Sequence, residues 1–88
     1  MKTLAEYLRA TDRSPDDLYR DIAPAYMGGA ANIDSRFRVL YDWEKVVAIL
    51  GSEEAARAIA VCDGSCPGCR EGGGAGCDAV ALFHPTVR

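Results

Sequence analysis

Four cysteines, Cys62, Cys66, Cys69 and Cys77, fall within sixteen consecutive residues of this 88-residue chain, and no cysteine lies elsewhere. Six of the nine glycines (Gly64, Gly68, Gly72, Gly73, Gly74 and Gly76) share that stretch. Glycine reaches positive φ without steric cost, which a short loop wrapping a metal requires. It also lets backbone N–H groups turn inward and offset the charge of thiolates. A flexible linker would supply the glycines without the cysteines. The pattern therefore predicts a metal centre with Cys62, Cys66, Cys69 and Cys77 as its ligands.

A chain of this length makes one domain whose core is small, and domains of this size commonly need a staple. Hydrophobic residues at 49% and charged residues at 26% are ordinary for a globular protein, so disorder is not expected. No run approaches the 18 apolar residues of a membrane span. The N-terminus meets Glu6 too early for a secretory core. A cytoplasmic, reducing location is the expectation, and there clustered cysteines read as metal ligands or redox thiols before disulfides. Thirteen acidic and ten basic residues alternate without a basic stripe, which argues against a nucleic-acid partner.

The chain divides into a cysteine-free segment 1–61, expected as a helical scaffold, and a Cys/Gly-rich loop and tail, 62–88, together forming one domain. The expected fold class is mainly α, with three to four short helices ahead of the loop. Thr3 with Glu6 fits a capping box, and Leu4, Tyr7 and Leu8 have helical spacing that stops near Thr11-Asp12. Ser14-Pro15-Asp16-Asp17 supplies an N-cap, a first-turn proline and first-turn acids. Leu18, Ile22 and Tyr26 are expected to face inward, with Pro24 limiting the helix. Residues 36–43 carry both an alternating strand pattern and a helical one; one helix over about 35–50 is the expectation. Gly51 reads as its end, and Ser52 as the cap of a last helix reaching about Val61.

Two metals compete for the cysteines. Cys66-Pro67-Gly68-Cys69 resembles one knuckle of the zinc-ribbon or rubredoxin type, although Arg70 stands where the customary glycine would be and no second C-x-x-C follows. The four-cysteine spacing over 62–77 resembles the loop of iron–sulfur DNA-repair glycosylases, with different internal intervals. That resemblance implies a [4Fe–4S] cluster, the first expectation here, with Zn2+ as the alternative. Cys62-x3-Cys66-x2-Cys69 also matches the radical-SAM triad, but that chemistry needs a far larger barrel and an open iron that Cys77 would close. Cys62-Asp63-Gly64-Ser65 resembles the CDGSH iron–sulfur domains, yet Cys66 replaces their histidine. His84, the lone histidine, is not expected to be an obligatory ligand.

No Ser/His/Asp set, phosphate loop or dinucleotide fingerprint is present, and the paired acids sit at helix starts. An enzyme is not expected. The leading expectation is a small iron–sulfur electron carrier, or an accessory subunit docking on a larger redox enzyme. The alternatives are a zinc-stapled protein-interaction module, a thiol switch using Cys66 and Cys69, and a modified-peptide precursor with a 1–61 leader.

Overall fold

The computed structural model describes residues 1–28, 39–72 and 76–83. Helix α1 spans Leu4–Thr11, with the Thr3 hydroxyl accepting from the Glu6 N–H at 3.3 Å. The Glu6 carboxylate answers one residue early, accepting from Lys2 N–H instead of Thr3. Asp12 closes the helix in the left-handed region at φ 53°. Helix α2, Pro15–Ile22, has a complete capping box: Ser14 Oγ accepts from Asp17 N–H, and the Asp17 carboxylate accepts from Ser14 N–H. Arg13, between the two helices, pairs with Asp21.

Leu18 and Ile22 are buried as expected, but Tyr26 is not: it stands 53% exposed, and Ala25 takes the inward place. Pro24 is the reason. It removes a backbone donor, the chain tightens into a 3-10 turn over Ala23–Ala25, and the α-helical phase that would bring residue 26 inward is lost.

The single helix expected over 35–50 is also corrected. Its first residues, 35–38, lie outside the described set; Leu40–Asp42 form strand β1, and helix α3 runs only from Trp43 to Leu50. Asp42 decides the boundary, because its carboxylate accepts from Lys45 N–H at 3.1 Å while its own backbone stays extended. Gly51 ends α3 at φ 88°, its N–H bonded to Val47 carbonyl at 2.8 Å. Ser52 then caps α4, Glu53–Ile59. Among the described residues four α-helices thus precede the cysteine loop, and mainly-α is the class observed. A fifth, α5 (Pro67–Gly72), lies within the loop itself.

The stretch after Cys77, read from sequence as a short tail, enters the core: Ala79, Val80 and Ala81 are buried. Ala81–Phe83 form strand β2, parallel to β1 with Leu40 opposite Ala81 and Tyr41 opposite Leu82. Parallel neighbours require a long crossover. Here α3, α4 and the whole cysteine loop make that connection. On its other side β1 meets Tyr26 in an antiparallel bridge.

Helix α4 packs against both α1 and α3. Its buried face is Ala55, Ala56, Ala58 and Ile59, and small alanines let neighbouring backbones approach. Leu4, Leu18, Ile22, Val46 and Ile59 are fully buried in the shared core. The end of α4 also anchors two other segments: Leu4 N–H donates to Val61 carbonyl, and Val80 N–H to Ile59 carbonyl. The residues delivering Cys62 and those leaving Cys77 are therefore both fixed to one helix end.

Candidate metal centre

The structure brings all four sequence-predicted cysteines together. Their Sγ atoms lie within 4.8 Å of one another, the one such group of metal-ligating side chains among the described residues. Cys62 follows the end of α4, Cys66 precedes α5, Cys69 lies in α5, and Cys77 precedes the return to β2. Cys66 is fully buried and belongs to the hydrophobic core; Cys62, Cys69 and Cys77 are partly exposed and pack against it. One sulfur thus lies within the core, and the other three sit partly exposed at its edge. His84 lies outside the described residues.

Three of the sulfurs accept backbone N–H groups. Gly64 donates to Cys62 Sγ at 3.3 Å, Cys69 to Cys66 Sγ at 3.3 Å, and Ala79 to Cys77 Sγ at 3.5 Å. Such donors partly neutralise thiolates and orient them toward a common ion. Asp63 shapes the first turn by accepting from the Ser65 N–H at 3.0 Å and from the Ser65 hydroxyl.

The two arms of the loop meet at Gly68 and Gly76. A Cβ on Gly68 would stand 1.8 Å from the Gly76 carbonyl oxygen, so only glycine fits there. The reason is close backbone approach rather than positive φ, a use of glycine distinct from that at Gly64, where φ is 89°. Asp78 completes the junction: its carboxylate accepts from Gly68 N–H at 2.7 Å, and its carbonyl accepts from the Tyr19 hydroxyl at 2.8 Å. Burial and the nearby Asp78 carboxylate push the Tyr19 phenol far up, keeping it a donor. Sequence reasoning missed both residues. Asp78 had a faint signal in its position beside Cys77; Tyr19 had none, because its partner lies 59 residues away.

The thiols of the metal-free centre do not behave alike. At Cys62, burial opposes ionisation, but hydrogen bonds from Gly64, Cys66 and Cys69 outweigh it and bring the thiol down to about 7. Hydrogen bonds to Cys66, Cys77 and Cys62 drive Cys69 far above the ordinary thiol range, and burial raises Cys77. Four sulfurs in so small a volume cannot all ionise unless a cation joins them, and a bound dication reverses this balance by deprotonating coordinating thiols outright. Of the two arginines near the loop in sequence, Arg57 is directed to Glu53 on its own helix at 3.7 Å, and Arg70 is exposed.

A cluster of four thiols at this spacing can bind a metal ion. Among the described residues, no helix is long and apolar enough to cross a membrane. No family model, curated protein or solved structure matches the chain.

Proposed function

We propose that Cys62, Cys66, Cys69 and Cys77 hold one zinc ion as a closed structural site, and that the domain is a zinc-stapled protein-interaction module. The observation that carries this is the mutual Sγ spacing of at most 4.8 Å. A tetrahedral ion with Zn–S bonds of about 2.3 Å sets its sulfurs about 3.8 Å apart. Cys62 and Cys69, at 3.6 Å, already stand near that separation. A four-iron cube instead gives each thiolate its own iron, so the inorganic core spreads the sulfurs further apart. The compact spacing therefore supports the zinc alternative over the cluster. A single iron fits the same tetrahedron, but divalent zinc binds a given site more tightly than divalent iron.

Four thiolates fill zinc's coordination and leave no open position for a substrate water, which is the mark of a structural rather than catalytic site. The groove bordering Cys77, lined by Tyr19, Val39, Tyr41 and Ala79–Ala81, encloses about 230 Å³. Beside it the exposed Tyr26 ring packs obliquely on Tyr41 at 5.9 Å. Exposed aromatics backed by a rigid scaffold suit a protein partner.

Metal analysis of freshly purified, anaerobically handled protein tests the reading. Colourless protein with one zinc per chain is the expected result. Brown protein with iron and sulfide would replace it with the electron-carrier reading.

A further inference from the structure

We propose that the same centre is a hydroperoxide-sensitive release switch, in which oxidation joins Cys62 to Cys69 as a disulfide and expels the zinc ion. The inference rests on the zinc reading above and adds to it a modification site and its regulation.

The pair follows from position. Cys62 and Cys69 Sγ are 3.6 Å apart in direct S–H···S contact, and both are partly exposed. A disulfide requires these sulfurs to close to about 2.0 Å. Cys62 sits in an exposed run, Val61, Asp63, Gly64 and Ser65, and Cys69 is followed by exposed Arg70 and Glu71. Both sulfurs lie at the edge of the core, packed against it on one side and within reach of solvent on the other. Cys66, the pairing expected for Cys69 from the C-x-x-C spacing, is fully buried and out of reach of a dissolved oxidant. Cys77 is held by the Gly76–Gly68 contact and by Asp78 with its bonds to Gly68 and Tyr19; the same contacts hold the start of the Cys69 arm, so the 3.6 Å Cys62–Cys69 separation is what selects the pair.

The chemistry balances with hydrogen peroxide as the oxidant. One exposed thiolate attacks a peroxide oxygen; the O–O bond breaks, the sulfur becomes a sulfenic acid, and the departing hydroxide takes a proton to become water. The second thiolate attacks that sulfur, the S–S bond forms, the S–O bond breaks, and hydroxide again leaves as water. Two sulfurs together give up two electrons, and one peroxide becomes two waters with two protons from solvent. Zinc has then lost two of its four ligands, and Cys66 with Cys77 alone cannot complete a structural site.

The test uses the zinc-loaded wild-type chain, whose metal content is first measured. Hydrogen peroxide is added, and released zinc is followed with a chromophoric chelator. Free thiols are alkylated in denaturant, and the chain is cut before Asp63 and Asp78 and after arginines. Cys62 then falls in residues 58–62, Cys66 and Cys69 in 63–70, and Cys77 in 71–77, and fragmentation at Pro67 separates Cys66 from Cys69. The expected result is zinc release in step with a link from 58–62 to 63–70 through Cys69, with Cys66 and Cys77 alkylated. A dithiol reductant plus zinc should restore the loaded form. Zinc-loaded protein that forms a different disulfide, or keeps its zinc at peroxide levels that oxidise glutathione, would overturn this inference alone. Protein purified without zinc would overturn the metal reading and this inference with it.

Discussion

The Gly68 N–H donates to the Asp78 carboxylate at 2.7 Å, and this bond joins the arm carrying Cys66 and Cys69 to the arm carrying Cys77. The two arms also touch through backbone, since a Cβ on Gly68 would meet the Gly76 carbonyl at 1.8 Å. Converging four ligands from one chain is therefore a problem of closing two arms, and Asp78 is the latch. Asp78→Ala is expected to weaken zinc binding by about 10–100-fold, the usual effect of losing a partner that orients the ligands. Gly68→Ala should be worse, because it displaces backbone rather than deleting one contact. Competition with a chromophoric chelator measures both; equal affinity in wild type and Asp78→Ala would show that the latch is dispensable.

Removing the metal should loosen more than the loop. Cys66 is part of the hydrophobic core, and Val80, three residues past Cys77, is buried and bonded to the end of α4. In a domain of this size each kcal/mol is worth roughly 4–8 °C in Tm. A metal contribution of only about 2 kcal/mol thus corresponds to a fall of roughly 8–16 °C on chelation. Circular dichroism melting with and without chelator checks it, and an unchanged Tm would mean that the helices stand without the centre.

The parts of this fold that were legible in the sequence are those settled within one turn of chain. Ser14 and Ser52 cap helices, and Gly51 ends one, through bonds to residues three or four positions away. The cysteine cluster was legible for the same reason, since all its ligands lie in sixteen residues. What stayed hidden depends on distant partners. Residues 40–42 fit helix or strand equally by pattern; pairing with Ala81–Phe83, about forty residues on, goes with the strand. Tyr19 bonds to Asp78 across a still longer gap of 59 residues. Tyr26 was misplaced for a local reason, the 3-10 turn at Pro24, which shifts phase without changing the apolar pattern.

The metal-free protein should show one thiol far more reactive than the rest at neutral pH. The Cys62 value is brought from the ordinary 9 to about 7, so its thiolate supports the folded metal-free chain above the unfolded value. That support fades as pH falls through 7. Cys69 and Cys77 are shifted the other way; they favour the fold while protonated and lose that contribution as pH climbs beyond the ordinary thiol range. Iodoacetamide labelling of chelated protein should modify Cys62 first, with its rate half-maximal near pH 7. Uniform labelling of Cys62, Cys69 and Cys77 at that pH would contradict the assignment.

Tyr19→Phe separates the latch from the ligands. The substitution keeps the ring and deletes the hydroxyl donor to the Asp78 carbonyl. A net loss of about 1 kcal/mol in stability is expected from one hydrogen bond. Zinc affinity should change much less than in Asp78→Ala, because the Asp78 carboxylate still holds Gly68. Chemical denaturation and chelator competition on the same sample distinguish the two effects. A Tyr19→Phe protein as weak for zinc as Asp78→Ala would place the hydroxyl inside the metal site's support.

Tyr26 is where the docking reading is most exposed to refutation. Its ring is 53% exposed and rests obliquely on Tyr41, whose strand is held by pairing with β2. Aromatic anchors on rigid supports supply a large share of binding energy at protein interfaces, and truncating one commonly costs 2 kcal/mol or more. Removing a half-exposed ring costs the fold less, since only about half of its area was taken out of water. Tyr26→Ala should therefore leave Tm within a few degrees of wild type and leave zinc content unchanged. Affinity for a protein partner captured from native extract should fall by about 30-fold, the equivalent of that 2 kcal/mol. A partner bound equally well by Tyr26→Ala would move the interface elsewhere on the domain. Measurable turnover of a small molecule by the isolated chain would replace the interaction reading altogether.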